Sequence, residues 1–79
     1  MSAFVYLLRC ADGTLYCGWS TDLERRVRQH ETGAASRYTR SRRPVELVWS
    51  AACADRSEAM REEARLKRLT RAEKHALIG

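Results

Sequence analysis

The chain has 79 residues, 44% hydrophobic and 32% charged, with 15 Lys and Arg against 10 Asp and Glu for a net charge of +5. That length supports one thin core, so 1–79 reads as a single domain with no room for a second. No apolar run approaches the ~20 residues of a membrane span and the N-terminus lacks a signal-peptide pattern, so a cytoplasmic location is expected.

Phe4 to Cys10 reads as a first strand, its aromatic and branched residues unbroken by a helix breaker. Ala11, Asp12 and Gly13 turn the chain, and Thr14 to Trp19 returns as a second strand. The loop count decides where two tyrosines point. If Asp12 and Gly13 alone form the loop, Tyr6 and Tyr16 face opposite sides of the sheet. If Ala11 joins them, with Gly13 in the left-handed bulge position, both fall on one side. Glycine at the third position is what the longer loop demands, so a shared face is expected, with the bare backbone of Gly18 beside both hydroxyls.

A helix follows. Thr21 and Glu24 form a capping box, Asp22 adds a negative charge to the first turn, and Gly33 is a natural stop. At about 100° per residue, Leu23 and Val27 define the apolar stripe, His30 lies beside Leu23, and Arg26 sits on the shoulder nearest His30. Arg25 and Arg28 point elsewhere, as solvated charge.

The basic balance favours a polyanionic partner, although charge alone says little. Its distribution says more: Arg37, Arg40, Arg42 and Arg43 crowd the segment SRYTRSRRP around Tyr38. Closely spaced guanidiniums can each take a phosphate, and a tyrosine ring can stack on a base or pack on a sugar. The plain structural alternative is a solvated connector with Tyr38 tucked into the core. Pro44 closes the segment, and Val45 to Cys53 reads as a third strand, with Val45, Leu47 and Trp49 alternating and Trp49 in the core.

From Asp55 onward the chain is helical. Asp55 with Glu58, or Ser57, caps the start, and Thr70 with Glu73 forms a second capping box that predicts a break near Leu69. Ala59, Met60, Leu66 and Leu69 form the expected stripe. Glu63 projects near its centre and Glu62 nearer Leu66 and Leu69, and a carboxylate on an inward face is unfavourable unless paired or metal-bound. Pairing of Glu63 with Lys67 four positions on is the ordinary structural explanation, and periodicity does not choose between the two glutamates. Cys10, Cys17 and Cys53 are an odd set without a C-x-x-C pair, which suggests buried inert thiols rather than disulfides or zinc.

A tyrosine on the first strand, a Tyr-x-Gly ten residues later and a helix reading D-L-E-R-R-x-x-x-H resemble the GIY-YIG nuclease superfamily, most closely its small single-domain bacterial YhbQ-like (UPF0213-type) members. Two tripeptides depart from the name-giving pattern: Phe4-Val5-Tyr6 lacks its glycine and Tyr16-Cys17-Gly18 has Cys for Ile. The resemblance implies an α+β fold, a small three-stranded antiparallel sheet flanked by helices in the order β-β-α-α-β-α. It also implies a metal-dependent endonuclease acting on DNA ahead of RNA, in DNA repair or processing, and leaving 5′-phosphate and 3′-hydroxyl ends. Aligning R-S-x-A-x-R-x-E selects Glu63 as the metal-binding glutamate. Mg²⁺, or another divalent cation such as Mn²⁺, suits a single carboxylate and retained waters.

Arg26 would then clamp the scissile phosphate and one tyrosine activate water, with His30 placed to take part. Tyr6 as base with Tyr16 orienting, and the reverse, both stay open. A tyrosine base needs its ordinary pKa near 10 lowered or its proton passed on. Nucleic-acid contacts are expected from Gly18, Arg37, Tyr38, Arg40, Arg42 and Arg43, with the protein a monomer or weak dimer. The alternatives are a non-catalytic nucleic-acid-binding module on the same fold and a basic protein-interaction domain.

Overall fold

A computed structural model describes residues 2–78; Met1 and Gly79, the ends of the expected 1–79 unit, lie outside the described residues. The elements run β1 (Ala3–Arg9), β2 (Leu15–Ser20), α1 (Leu23–Thr32), α2 (Arg37–Arg40), β3 (Glu46–Cys53), α3 (Arg56–Lys67) and α4 (Arg71–Ile78). The strands form one antiparallel sheet of order β2-β1-β3, the α+β arrangement expected.

The β1–β2 turn is the longer of the two weighed above. Cys10 N–H donates to Thr14 O and Gly13 N–H to Cys10 O, both at 2.9 Å, and Gly13 takes a φ of 84° that only glycine adopts without strain. The Asp12 carboxylate braces the turn, accepting from Thr14 N at 3.1 Å and Thr14 Oγ1 at 2.6 Å. The register pairs Tyr6 with Gly18 and Leu8 with Tyr16. Because side chains alternate along each strand, all four positions share one face, so the tyrosines lie together as expected.

Ala3, Val5 and Leu7 of β1 point the other way, into a core with Cys17, Cys53, Ala59 and Leu66, against which Leu69 and Ile78 also pack. Met60 is a correction to the predicted stripe: it is 53% exposed, one step round the helix from fully buried Ala59. The third strand opens at Glu46 rather than Val45, and its simple alternation also fails. Leu7 pairs with Trp49 but Leu8 with Leu47, so Val48 is an extra residue in the ladder. Val48 and Trp49 therefore both pack on the core's edge, Trp49 only half-buried, and Leu47 is left 38% exposed.

The cap of α1 is Asp22, not Thr21. Ser20 Oγ accepts from Asp22 N at 3.0 Å and donates to Asp22 O at 3.1 Å. That turn leaves Asp22 as the last extended residue, and its carboxylate accepts from Arg25 N at 3.1 Å. Gly33 ends the helix in the left-handed conformation expected. Asp55 caps α3 through Glu58 N at 2.8 Å. The Thr70–Glu73 box forms reciprocally, at 2.9 and 3.1 Å, and separates α3 from α4. All three cysteines are free and buried. Among the described residues no helix is long and apolar enough to cross a membrane.

Candidate active site

Tyr6 of β1, Tyr16 and Gly18 of β2, Arg26 of α1 and Glu63 of α3 line one open cleft of about 350 Å³. The hairpin register supplies the tyrosines. The Ser20–Asp22 turn swings α1 so that Arg26 overlooks them. On the far side, α3 is fixed to edge strand β2 where the Cys17 thiol donates to Glu63 O at 3.8 Å, which places that helical turn at the rim of the sheet.

Tyr6 is 2% exposed, and its Oη stands 2.8 Å from His30 Nε2. Burial, reinforced by nearby Tyr16, pushes its pKa well above the ordinary phenol value despite the opposing charge of Arg26. A standing phenolate is thus disfavoured, the opposite of the lowered pKa that a tyrosine base calls for. His30 is 1% exposed and lies behind Tyr6 rather than on the cleft wall, with Nδ1 2.8 Å from Thr39 Oγ1. Burial first, and the Arg26 charge second, bring its pKa down to about 4, so the imidazole is neutral at neutral pH.

Gly18 does not leave bare backbone beside the hydroxyls: the phenol of Tyr6 lies over it. Tyr16 is half-buried, its ring 5.0 Å from that of His30 and 5.7 Å from that of Tyr38. Tyr38 is 37% exposed, not tucked into the core. It is flanked by Tyr16 and by the Arg42 guanidinium, 3.9 Å from its ring centre. The arginine-rich segment divides accordingly. Arg42 is engaged with Asp12 at 3.0 Å and with Tyr38 O at 3.0 Å, and Arg43 Nε donates to Arg40 O at 3.1 Å. Arg37 and Arg40 are exposed, and their guanidiniums form no hydrogen bond or ion pair among the described residues.

The Arg26 guanidinium likewise forms no hydrogen bond or ion pair among the described residues, although its charge reaches both Tyr6 and His30. Geometry separates the two glutamates. Glu62 pairs with Arg65 at 2.8 Å, away from the cleft. Glu63, 23% exposed, lines the cleft and also meets Lys67 Nζ at 3.4 Å, so the ordinary helical pair and the cleft position coexist. No group of three or more His, Cys, Asp or Glu able to hold a metal occurs among the described residues. One carboxylate in an open polar cleft does not suit a closed zinc site. It does suit a hard cation that keeps most of its waters.

Sequence reasoning missed Arg56, which lines the same cleft from the first turn of α3. The signal was present: Arg56 precedes Glu63 by seven positions, two helical turns on one face.

The GIY-YIG catalytic-domain family model matches residues 2–76. A UPF0213 protein of Desulfotalea psychrophila is 50% identical over 76 residues, spanning 95% of this chain and 69% of its own. One from Halobacterium salinarum is 49% identical over 74 residues, spanning 94% and 96%. The solution NMR structure of a UPF0213 protein from Bacillus halodurans is similar with a TM-score of 0.63 and 42% identity, over 99% of this chain and 83% of that one.

Proposed function

Because the chain belongs to the GIY-YIG catalytic-domain family, we propose that it is a divalent-cation-dependent endonuclease hydrolysing phosphodiester bonds in DNA. The observation that carries this reading is the convergence of Tyr6, Tyr16, Arg26 and Glu63 on one cleft from four different elements.

Such hydrolysis needs an activated water, positive charge at the phosphate oxygens and help for the departing oxygen. Glu63 is the carboxylate that would hold Mg²⁺ or Mn²⁺, and the ion supplies charge at the phosphate when bound. Arg26, unpaired, takes a non-bridging oxygen of the scissile phosphate in a charge-assisted hydrogen bond. Tyr6 acts on the attacking water and Tyr16 orients water or phosphate. Since burial penalises a phenolate, Tyr6 passes its own proton to His30 Nε2 as it takes one from water; the resulting hydroxide bonds to phosphorus, the P–O3′ bond breaks, and the departing 3′ oxygen takes a proton from solvent in the open cleft. Arg37, Arg40 and Arg56 offer further phosphate contacts.

A non-catalytic nucleic-acid-binding module is favoured instead by two observations, the pairing of Glu63 with Lys67 and the burial of Tyr6, which disfavours a phenolate. One experiment separates them: Mg²⁺-dependent cleavage of labelled single-stranded, duplex and branched DNA and RNA by the parent protein, Tyr6→Phe and Glu63→Ala. Cleavage by the parent that both substitutions abolish, with DNA binding retained, supports the nuclease. Binding without cleavage by the parent establishes the module.

A further inference from the structure

Thr39 is fully buried although Tyr38 and Arg40 on either side of it are exposed. A hydroxyl in that position must be hydrogen-bonded. Its Oγ1 lies 2.8 Å from His30 Nδ1, 3.1 Å from Ser36 Oγ and 3.4 Å from Ser36 O. Ser36 is itself held in place as the cap of α2, its Oγ accepting from Thr39 N at 3.2 Å.

A hydroxyl has one proton and two acceptor lone pairs. Both Ser36 oxygens can accept the Thr39 proton; the carbonyl oxygen, which also accepts from Arg40 N at 3.0 Å, cannot donate in return. With the proton directed to Ser36, Thr39 turns a lone pair to His30 Nδ1, and the 2.8 Å contact is satisfied by Nδ1–H donating. A neutral imidazole protonated at Nδ1 is bare at Nε2, where the Tyr6 hydroxyl stands 2.8 Å away as donor. The geometry points to Thr39 as a positioning residue that holds His30 in its Nδ1–H tautomer and so directs the Tyr6 proton onto His30, leaving the Tyr6 oxygen's lone pairs for the cleft. The opposite arrangement, with Nε2–H donating to Tyr6, turns the Thr39 proton to His30 Nδ1, so it forfeits the Thr39 contact to Ser36 O and requires Ser36 Oγ to donate to Thr39 instead. It also turns the Tyr6 proton towards the cleft, where the phenol would donate to water instead of accepting from it.

The tautomer is a property of the folded protein and does not depend on the nuclease reading; its kinetic consequence rests on that reading. Long-range ¹H–¹⁵N correlation spectra near neutral pH report which nitrogen of His30 is protonated, and exposed His75 serves as a reference ring. The parent protein is expected to show Nδ1–H. Thr39→Val, which keeps the shape and removes the hydroxyl, should lose that preference, and Thr39→Ser should restore it. In DNA cleavage, Thr39→Val should lower kcat by about 10- to 100-fold with KM little changed, the scale seen when the partner that orients a metal-bound histidine is removed, and Thr39→Ser should recover most of it.

An Nε2–H tautomer in the parent overturns the proposal, as does a folded Thr39→Val protein with parental His30 signals. If Thr39→Val fails to fold, the parent spectrum and the Thr39→Ser comparison decide it. An Nδ1–H parent that cuts nothing leaves the tautomer assignment standing and removes the nuclease reading alone.

Discussion

The phenol of Tyr6 occupies the space that a side chain at Gly18 would need. A Cβ there would stand 2.5 Å from the Tyr6 oxygen and 2.6 Å from its Cζ. The ring is buried on the central strand and tied to His30, so it can yield only by giving up that contact. Gly18→Ala is expected to destabilise the protein by about 1–3 kcal/mol and to break the Tyr6–His30 contact. Urea unfolding together with cleavage assays checks this; a parental midpoint with parental activity would show that Tyr6 has another place to go.

Stability should depend on pH through His30. Its native pKa of about 4 lies below the ordinary 6.5, so between those values the unfolded chain binds the extra proton. Stability is therefore complete above 6.5, falls as pH drops towards 4 and levels off below. About 2 kcal/mol should be lost between pH 6.5 and about 5. Asp12 and Glu73, held below the usual carboxylate range by their hydrogen bonds to Thr14 and Thr70, titrate at lower pH and do not contribute there. A folded His30→Gln protein should be nearly flat over the same interval, and an equal slope in both proteins would assign the effect elsewhere.

Lys67 competes for the Glu63 carboxylate. The pair is partly exposed and contributes about 0–1 kcal/mol to stability, so Lys67→Ala should leave the unfolding midpoint almost unchanged. The same substitution should reduce the Mg²⁺ concentration giving half-maximal cleavage by about two- to fivefold. A higher Mg²⁺ requirement would mean that the lysine assists the ion or the substrate instead.

Arg56→Ala should weaken DNA binding and lower the slope of log K against log salt by about 1, as loss of one phosphate contact does. Arg28→Ala, on the exposed face of α1 outside the cleft, is the control. Equal effects from the two would make the binding a matter of net charge.

Local chemistry is what the sequence made legible. Gly13 determined the loop, and through it the common face of Tyr6 and Tyr16; Thr70 and Glu73 marked the last helix. Contacts distant in sequence were not legible. Thr21 and Asp22 are both good caps, and only the bond from Ser20 at the end of β2 decides between them. The outward position of Met60 and the extra residue at Val48 depend on how α3 and β3 meet β1. Glu62 and Glu63 are distinguished by the docking of α3 on Cys17. The raised pKa of Tyr6 follows from its burial on the middle strand, and Thr39 was hidden in a segment whose arginines pointed to phosphate contacts.

That middle strand also ties activity to folding. β1 precedes both its neighbours in the chain, yet Ala3 pairs with Cys53, across a loop that includes β2, α1 and α2. The local β1–β2 hairpin can form early, but closing the longer loop is entropically costly and comes later. Until β3 and α3 dock, Tyr6 has no buried setting and Glu63 has no tyrosines to face. The cleft is thus a product of global cooperativity, and loss of the outer strand β3 would dismantle it without touching any residue that lines it.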